Sequence, residues 1–84
     1  MNKTTITMVT TSTCGPCKLV KKVMEPYNSM ITYIDADEDP QLAQMLGVVS
    51  VPTIVFYKDS REYARHTGVV NKVMVDDYLK QGEK

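Results

Sequence analysis

Cys14-Gly15-Pro16-Cys17 holds both cysteines of the chain, two residues apart, where an expected strand gives way to an expected helix. At a helix start, free backbone N–H groups and the positive end of the dipole stabilise a thiolate. A second thiol one turn later can attack a mixed disulfide formed on the first. Such a pair performs two-electron redox chemistry without a cofactor. Other chemistries fit less well. A closed structural zinc site takes four ligands, whereas this chain offers two Cys and one His, His66. A disulfide closing so short a loop removes little unfolded-state entropy. Two inert buried cysteines remain an open alternative, although Gly-Pro is an odd insertion in a plain core helix. The redox reading therefore depends on the strand-to-helix context.

Lys18, Lys21 and Lys22 follow the cysteines directly. They read as a solvated helix face that adds positive potential near Cys14, with Lys18 a candidate modulator of its acidity. Over the whole chain ten basic and ten acidic residues cancel, so no global field points to nucleic acid or an anionic membrane. The acidic run Asp37-Glu38-Asp39 reads as helix capping, and it lacks the spacing of a calcium loop. No metal site is expected. No apolar stretch reaches the length of a membrane span, and the N-terminus shows no secretory h-region. The expectation is one domain over residues 1–84, monomeric and in a reducing cytoplasm, where a CxxC pair is catalytic more often than structural.

The elements that must position the cysteines follow from periodicity and capping. Thr4 to Val9 alternates with Ile6 and Met8 on one face, as a strand does. A polar loop over residues 10–13 leads to a helix from Cys14, with Leu19, Val20, Val23 and Met24 as its apolar stripe. Pro16 is tolerated in the first turn, and Pro26 ends the helix near Met24 or Glu25. Ile31 to Asp35 is a second strand. Asp39 suits a helix N-cap, Pro40 the first helical position and Gly47 the left-handed exit. After Pro52, the run Ile54-Val55-Phe56 marks a central strand covered on both faces. Lys58-Asp59-Ser60 is a hairpin turn, Arg61 to Thr67 an outer strand, and Gly68 its end. Asn71 can cap a last helix that turns Val75, Tyr78 and Leu79 inward. His66 reads as a surface or edge residue and not a catalytic base, and Tyr33, Tyr57, Tyr63 and Tyr78 as ordinary sheet and helix packing. The order βαβαββα predicts a parallel first pair and an antiparallel last pair. The expected fold is α/β: a four-stranded mixed sheet with helices on both faces.

On these residues the chain resembles the thioredoxin superfamily over nearly its whole length. Cys14-Gly15-Pro16-Cys17-Lys18 is similar to the thioredoxin active-site sequence at five consecutive positions. Val51-Pro52-Thr53 resembles the family's loop with a cis-proline facing the cysteines, and Gly68 the glycine bordering the substrate groove. The chain also departs from that pattern. It looks like the minimal, glutaredoxin-sized core, without the extra N-terminal strand and helix. Thr13 stands where a tryptophan is usual, and Met8 where a buried aspartate helps move protons to the second cysteine. The segment Thr67-Gly68-Val69-Val70-Asn71 lacks the Gly-Gly and acidic pair with which glutaredoxins grip glutathione.

The resemblance implies a thiol–disulfide oxidoreductase that reduces protein disulfides, with a ribonucleotide reductase one candidate substrate and a thioredoxin reductase recharging it. Cys14 would attack and Cys17 resolve. Thr13, Gly15, Pro16, Val51, Pro52 and Gly68 would line the substrate groove, with the Val51 backbone pairing with an extended substrate segment. The competing expectations are a glutathione-dependent, glutaredoxin-like oxidoreductase and a thioredoxin-fold docking module whose redox pair is incidental.

Overall fold

Thr/apolar alternation in the first strand, capped helical segments and a hairpin turn set the order of elements. In the computed structural model, which describes residues 3–83, strands β1 (Thr4–Thr10), β2 (Ile31–Asp35), β3 (Thr53–Lys58) and β4 (Arg61–Thr67) form one sheet. Helices α1 (Gly15–Met24), α2 (Pro40–Met45) and α3 (Lys72–Gln81) connect or follow them. The strand order is β2-β1-β3-β4, with β1 parallel to β2 and antiparallel to β3, and β3 antiparallel to β4. This is the expected α/β mixed sheet, with the apolar run at residues 54–56 in a central strand.

Alternation along the strands divides the buried residues between two faces. Ile6 and Met8 of β1 and Ile54 and Phe56 of β3 meet Val20 and Met24 of α1 and Val70 and Val75 from the α3 side. Burial of each such large side chain contributes about 1.5–3 kcal/mol. Val9 and Val55 lie on the opposite face, and both are fully buried. Arg65, which pairs with Val55 in the ladder, reaches across that face to the Leu46 carbonyl at the end of α2 (2.9 Å). Helices thus cover both faces.

Local chemistry accounts for the boundaries. Asp39 caps α2 through the Leu42 N–H, and Gly47 leaves the helix at φ 72°. Asn71 caps α3 through the Met74 N–H at 2.9 Å. Asp59 and Ser60 both adopt positive φ, as a two-residue hairpin turn between right-twisted strands requires.

Two packing expectations are corrected. Leu19 belongs to the apolar stripe by spacing, yet it is 61% exposed, because the sheet covers only the arc of α1 that carries Cys17, Val20 and Met24. Tyr33 does not pack inward: it is 42% exposed on the edge strand β2. Its hydroxyl donates to the Asn28 side-chain carbonyl, and the Lys21 ammonium lies 6.0 Å from its ring. Pro26 ends α1 as expected, but the chain then continues as a 3-10 helix, Glu25–Met30, whose Tyr27 hydroxyl donates to Asp76 of α3 at 2.5 Å.

Candidate active site

The cysteine loop is set by where β1 stops. After Thr10 the chain turns through residues 11–13, and the Cys14 N–H donates to the Thr11 carbonyl at 3.3 Å. Cys14 is extended (φ −85°, ψ 106°) and occupies the N-cap of α1. Its sulfur takes the role that an Asp or Ser oxygen usually plays, accepting a hydrogen bond from the Cys17 N–H at 3.2 Å. Pro16 lies in the first turn, so its position contributes no N–H. The Cys17 amide is thus the donor presented to the Cys14 sulfur.

Cys14 and Cys17 are joined by a disulfide, with Cα atoms 5.3 Å apart. Their environments differ sharply. Cys14 is half-buried, while Cys17 is 1% exposed and faces the sheet. Thr13, Gly15, Pro16 and Lys18 are exposed around them. Met8, at the position where the resemblance would place an aspartate, is fully buried in the apolar core.

The ladder brings the second and third expected segments to the same end of the sheet. Val9, next to the end of β1, pairs with Thr53 at the start of β3, and Thr53 pairs with Thr67 at the end of β4. The loop with Val51 and Pro52 and the loop with Gly68 therefore leave the sheet where the cysteine loop does. The Val51–Pro52 peptide is cis, and the Gly68 N–H donates to the Pro52 carbonyl at 2.8 Å. Gly68 has φ 102°, a conformation that suits glycine and strains any side chain. The Thr53 hydroxyl, within 3.4 Å of the Thr67 hydroxyl, donates to the Ser50 carbonyl at 2.7 Å, which tightens the turn around Pro52.

Three supports lay outside the sequence reading. Ser12 donates to Asp37 at 3.4 Å, the Ala36 N–H donates to the Thr10 carbonyl at 2.8 Å, and Asp35 accepts from the Asp37 N–H at 2.8 Å. The cysteine loop is thereby stitched to the turn before α2. An Asx turn was the available signal, in the Asp35-Ala36-Asp37 pattern. Arg65 grips Glu62 with two nitrogens while holding the Leu46 carbonyl, which anchors the chain entering the Pro52 loop. His66 is half-buried on β4, with both ring nitrogens engaged. Nothing in the local sequence of these last two residues announces such partners. Among the described residues no group of three or more His, Cys, Asp or Glu could hold a metal ion, and no helix is long and apolar enough to cross a membrane.

Comparison with known proteins places this arrangement. A family model described as a thioredoxin-like domain matches residues 1–83. Thioredoxin of Chlamydia muridarum is 36% identical over 64 residues, covering 70% of this chain and 63% of that protein. The chain thus spans less than two thirds of such relatives. NADPH-dependent thioredoxin reductase 3 of Arabidopsis thaliana is 29% identical over 80 residues, covering 88% of this chain and 15% of that protein. Among solved structures, a single-residue mutant of thioredoxin from Halobacterium salinarum superposes with a TM-score of 0.90 at 25% identity, covering 99% of this chain and 77% of that one.

Proposed function

The chain belongs to the thioredoxin-like domain family, and from that premise we propose that it is a thiol–disulfide oxidoreductase that reduces protein disulfides. The observation that carries this reading is the asymmetric pair at the start of α1: a half-buried Cys14 sulfur receiving the Cys17 N–H, and a buried Cys17 one turn behind it.

In the reduced protein, the Cys17 amide and the helix dipole favour the thiolate of Cys14. That thiolate attacks one sulfur of a substrate disulfide. A mixed disulfide forms, and the other substrate sulfur leaves as a thiolate. The Cys17 thiol, once deprotonated, attacks the Cys14 sulfur and expels the second substrate thiolate. Two electrons pass to the substrate, two protons complete its thiols, and the Cys14–Cys17 disulfide remains. The disulfide-bonded pair at the start of α1 is that oxidised state. Met8 supplies no carboxylate, so water, another group or the departing thiolate takes the proton leaving Cys17.

Thr13, Gly15, Pro16, Val51, Pro52 and Gly68 line the proposed groove, and Lys18 adds positive potential at its rim. The Val51 backbone offers an extended substrate segment a strand partner. A thioredoxin reductase recharges the protein from NADPH. The likeness to a segment of a reductase bearing that name supports this pairing. A protein of this kind works as a monomeric electron carrier in a reducing compartment such as the cytoplasm, and a ribonucleotide reductase suits it as a substrate. The test is disulfide reduction assayed in parallel with NADPH plus thioredoxin reductase and with glutathione plus glutathione reductase. Turnover in the first and not the second supports the proposal. Turnover only with glutathione replaces it with the glutaredoxin-like activity, and turnover in neither, with partner binding retained, leaves a docking module.

A further inference from the structure

His66 stands on β4 opposite Ile54, on the sheet face that carries the core, at the edge where that core meets α3. Its Nδ1 lies 3.1 Å from the Tyr78 hydroxyl of α3. Its Nε2 lies 3.0 Å from the carbonyl oxygen of Val69. A carbonyl can only accept, so Nε2 carries the proton, and in the neutral ring Nδ1 accepts from Tyr78. The ring also meets Tyr78 edge-on, with centroids 5.8 Å apart. One imidazole therefore links three pieces of chain: strand β4, helix α3 and the Gly68–Val70 turn between them.

That turn borders the proposed groove. Gly68 is already tied to the Pro52 carbonyl, and Val69, 55% exposed, presents an apolar side chain beside it. The Gly68 bond fixes one point of the turn and the His66–Val69 bond a second. Both bonds act on the peptide planes around Gly68, between Thr67 at the end of the ladder and Val70 in the core. Glycine's backbone is not restricted by a side chain, so the second tether adds order that the residue itself does not supply.

We propose that His66 is a positioning residue for substrate binding: by holding the Val69 carbonyl it keeps the Gly68–Val69 edge of the groove in the orientation that an incoming protein segment meets. This inference rests on the oxidoreductase reading above. Two substitutions separate the two hydrogen bonds. In His66→Gln the side-chain amide extends to the place of Nε2 and can still donate to Val69. In His66→Asn it reaches only the place of Nδ1, so the contact with Tyr78 is kept and Val69 is released.

Steady-state reduction of a protein disulfide, with thioredoxin reductase and NADPH, is measured for wild type and both variants. Loss of one hydrogen bond that orders a binding edge is expected to raise KM for His66→Asn by about three- to tenfold, with kcat within about twofold. His66→Gln should restore KM to within about twofold of wild type. Amide hydrogen exchange is followed on the same proteins, and Gly68 should exchange faster in His66→Asn than in His66→Gln. Equal KM values in wild type and His66→Asn, or equal increases in both variants, overturn the assignment. A wild-type protein that reduces no disulfide defeats the oxidoreductase reading instead. The exchange comparison then still decides whether His66 orders the turn, with equal protection of Gly68 in both variants counting against it.

Discussion

Helices α1 and α3 begin in the same way and to different ends. Asn71 caps α3 with its side-chain oxygen on the Met74 N–H at 2.9 Å, a bond between two groups that never change charge. Cys14 caps α1 with sulfur on the Cys17 N–H at 3.2 Å. Sulfur is the weaker acceptor when neutral or disulfide-bonded, and a strong one as a thiolate. In the proposed mechanism the first helix start holds its donor for a charge that comes and goes, whereas the third uses its donor to stay folded. The same capping position serves stability or, in the proposed mechanism, chemistry, according to whether its side chain can ionise.

Removing the sulfur has the largest expected effect. Cys14→Ser is expected to abolish disulfide reduction while leaving a helix cap, since serine is a good N-cap. Retained reductase activity in that variant would refute the mechanism. Cys17→Ser should accumulate mixed disulfides with substrate proteins, visible as bands on non-reducing gels that vanish with reductant. Next in size is the difference between the two thiols. In the reduced protein, alkylation near neutral pH should label Cys14 well before Cys17, because Cys17 is 1% exposed. Mass mapping of the first adduct to Cys17 would reverse the roles.

The α3 cap should behave oppositely. Asn71→Ala is expected to lower stability by about 1 kcal/mol in denaturant unfolding and to leave the rate of Cys14 alkylation unchanged. A change in that rate would mean that the two helix starts are coupled. The smallest effect belongs to Asp76, farther along α3. The hydrogen bond from the Tyr27 hydroxyl holds its carboxyl below its ordinary value, opposed by burial and helped by the hydrogen bond and charge of Lys72 and the charge of Lys80. A carboxyl with a lowered folded-state value contributes stability above its unfolded value and loses it as pH falls through the folded one. Thermal unfolding of wild type and Asp76→Asn should therefore differ slightly at neutral pH and converge in acid below the ordinary carboxylate range. An unchanged difference at low pH would remove Asp76 as its source.

Much of this molecule was readable along the chain because the signals are local. A cap, a proline in a first turn and a glycine after a last turn act within four residues, so Asp39, Pro40, Gly47 and Asn71 marked their helix boundaries without knowledge of what packs where. The cysteine pair was legible for the same reason: one helical turn places both thiols within bonding reach. Val51-Pro52 and Gly68 entered through resemblance to a family, since neither residue carries a local sign that the two loops meet.

The tertiary structure alone decided which part of each apolar stripe is covered. Spacing made Leu19 equivalent to Val20, but the sheet reaches only one of them. It also decided the contacts between distant segments: Tyr27 with Asp76, Arg65 with Leu46, and His66 with Val69 and Tyr78. Gly82 shows the limit most plainly. By sequence it is a glycine near the end of a helix, but a Cβ there would come within 2.7 Å of the Tyr63 ring, whose hydroxyl donates to the Tyr78 carbonyl at 2.9 Å. Backbone preferences are written residue by residue, whereas close approach depends on where two segments nineteen residues apart are brought by the sheet and helix between them.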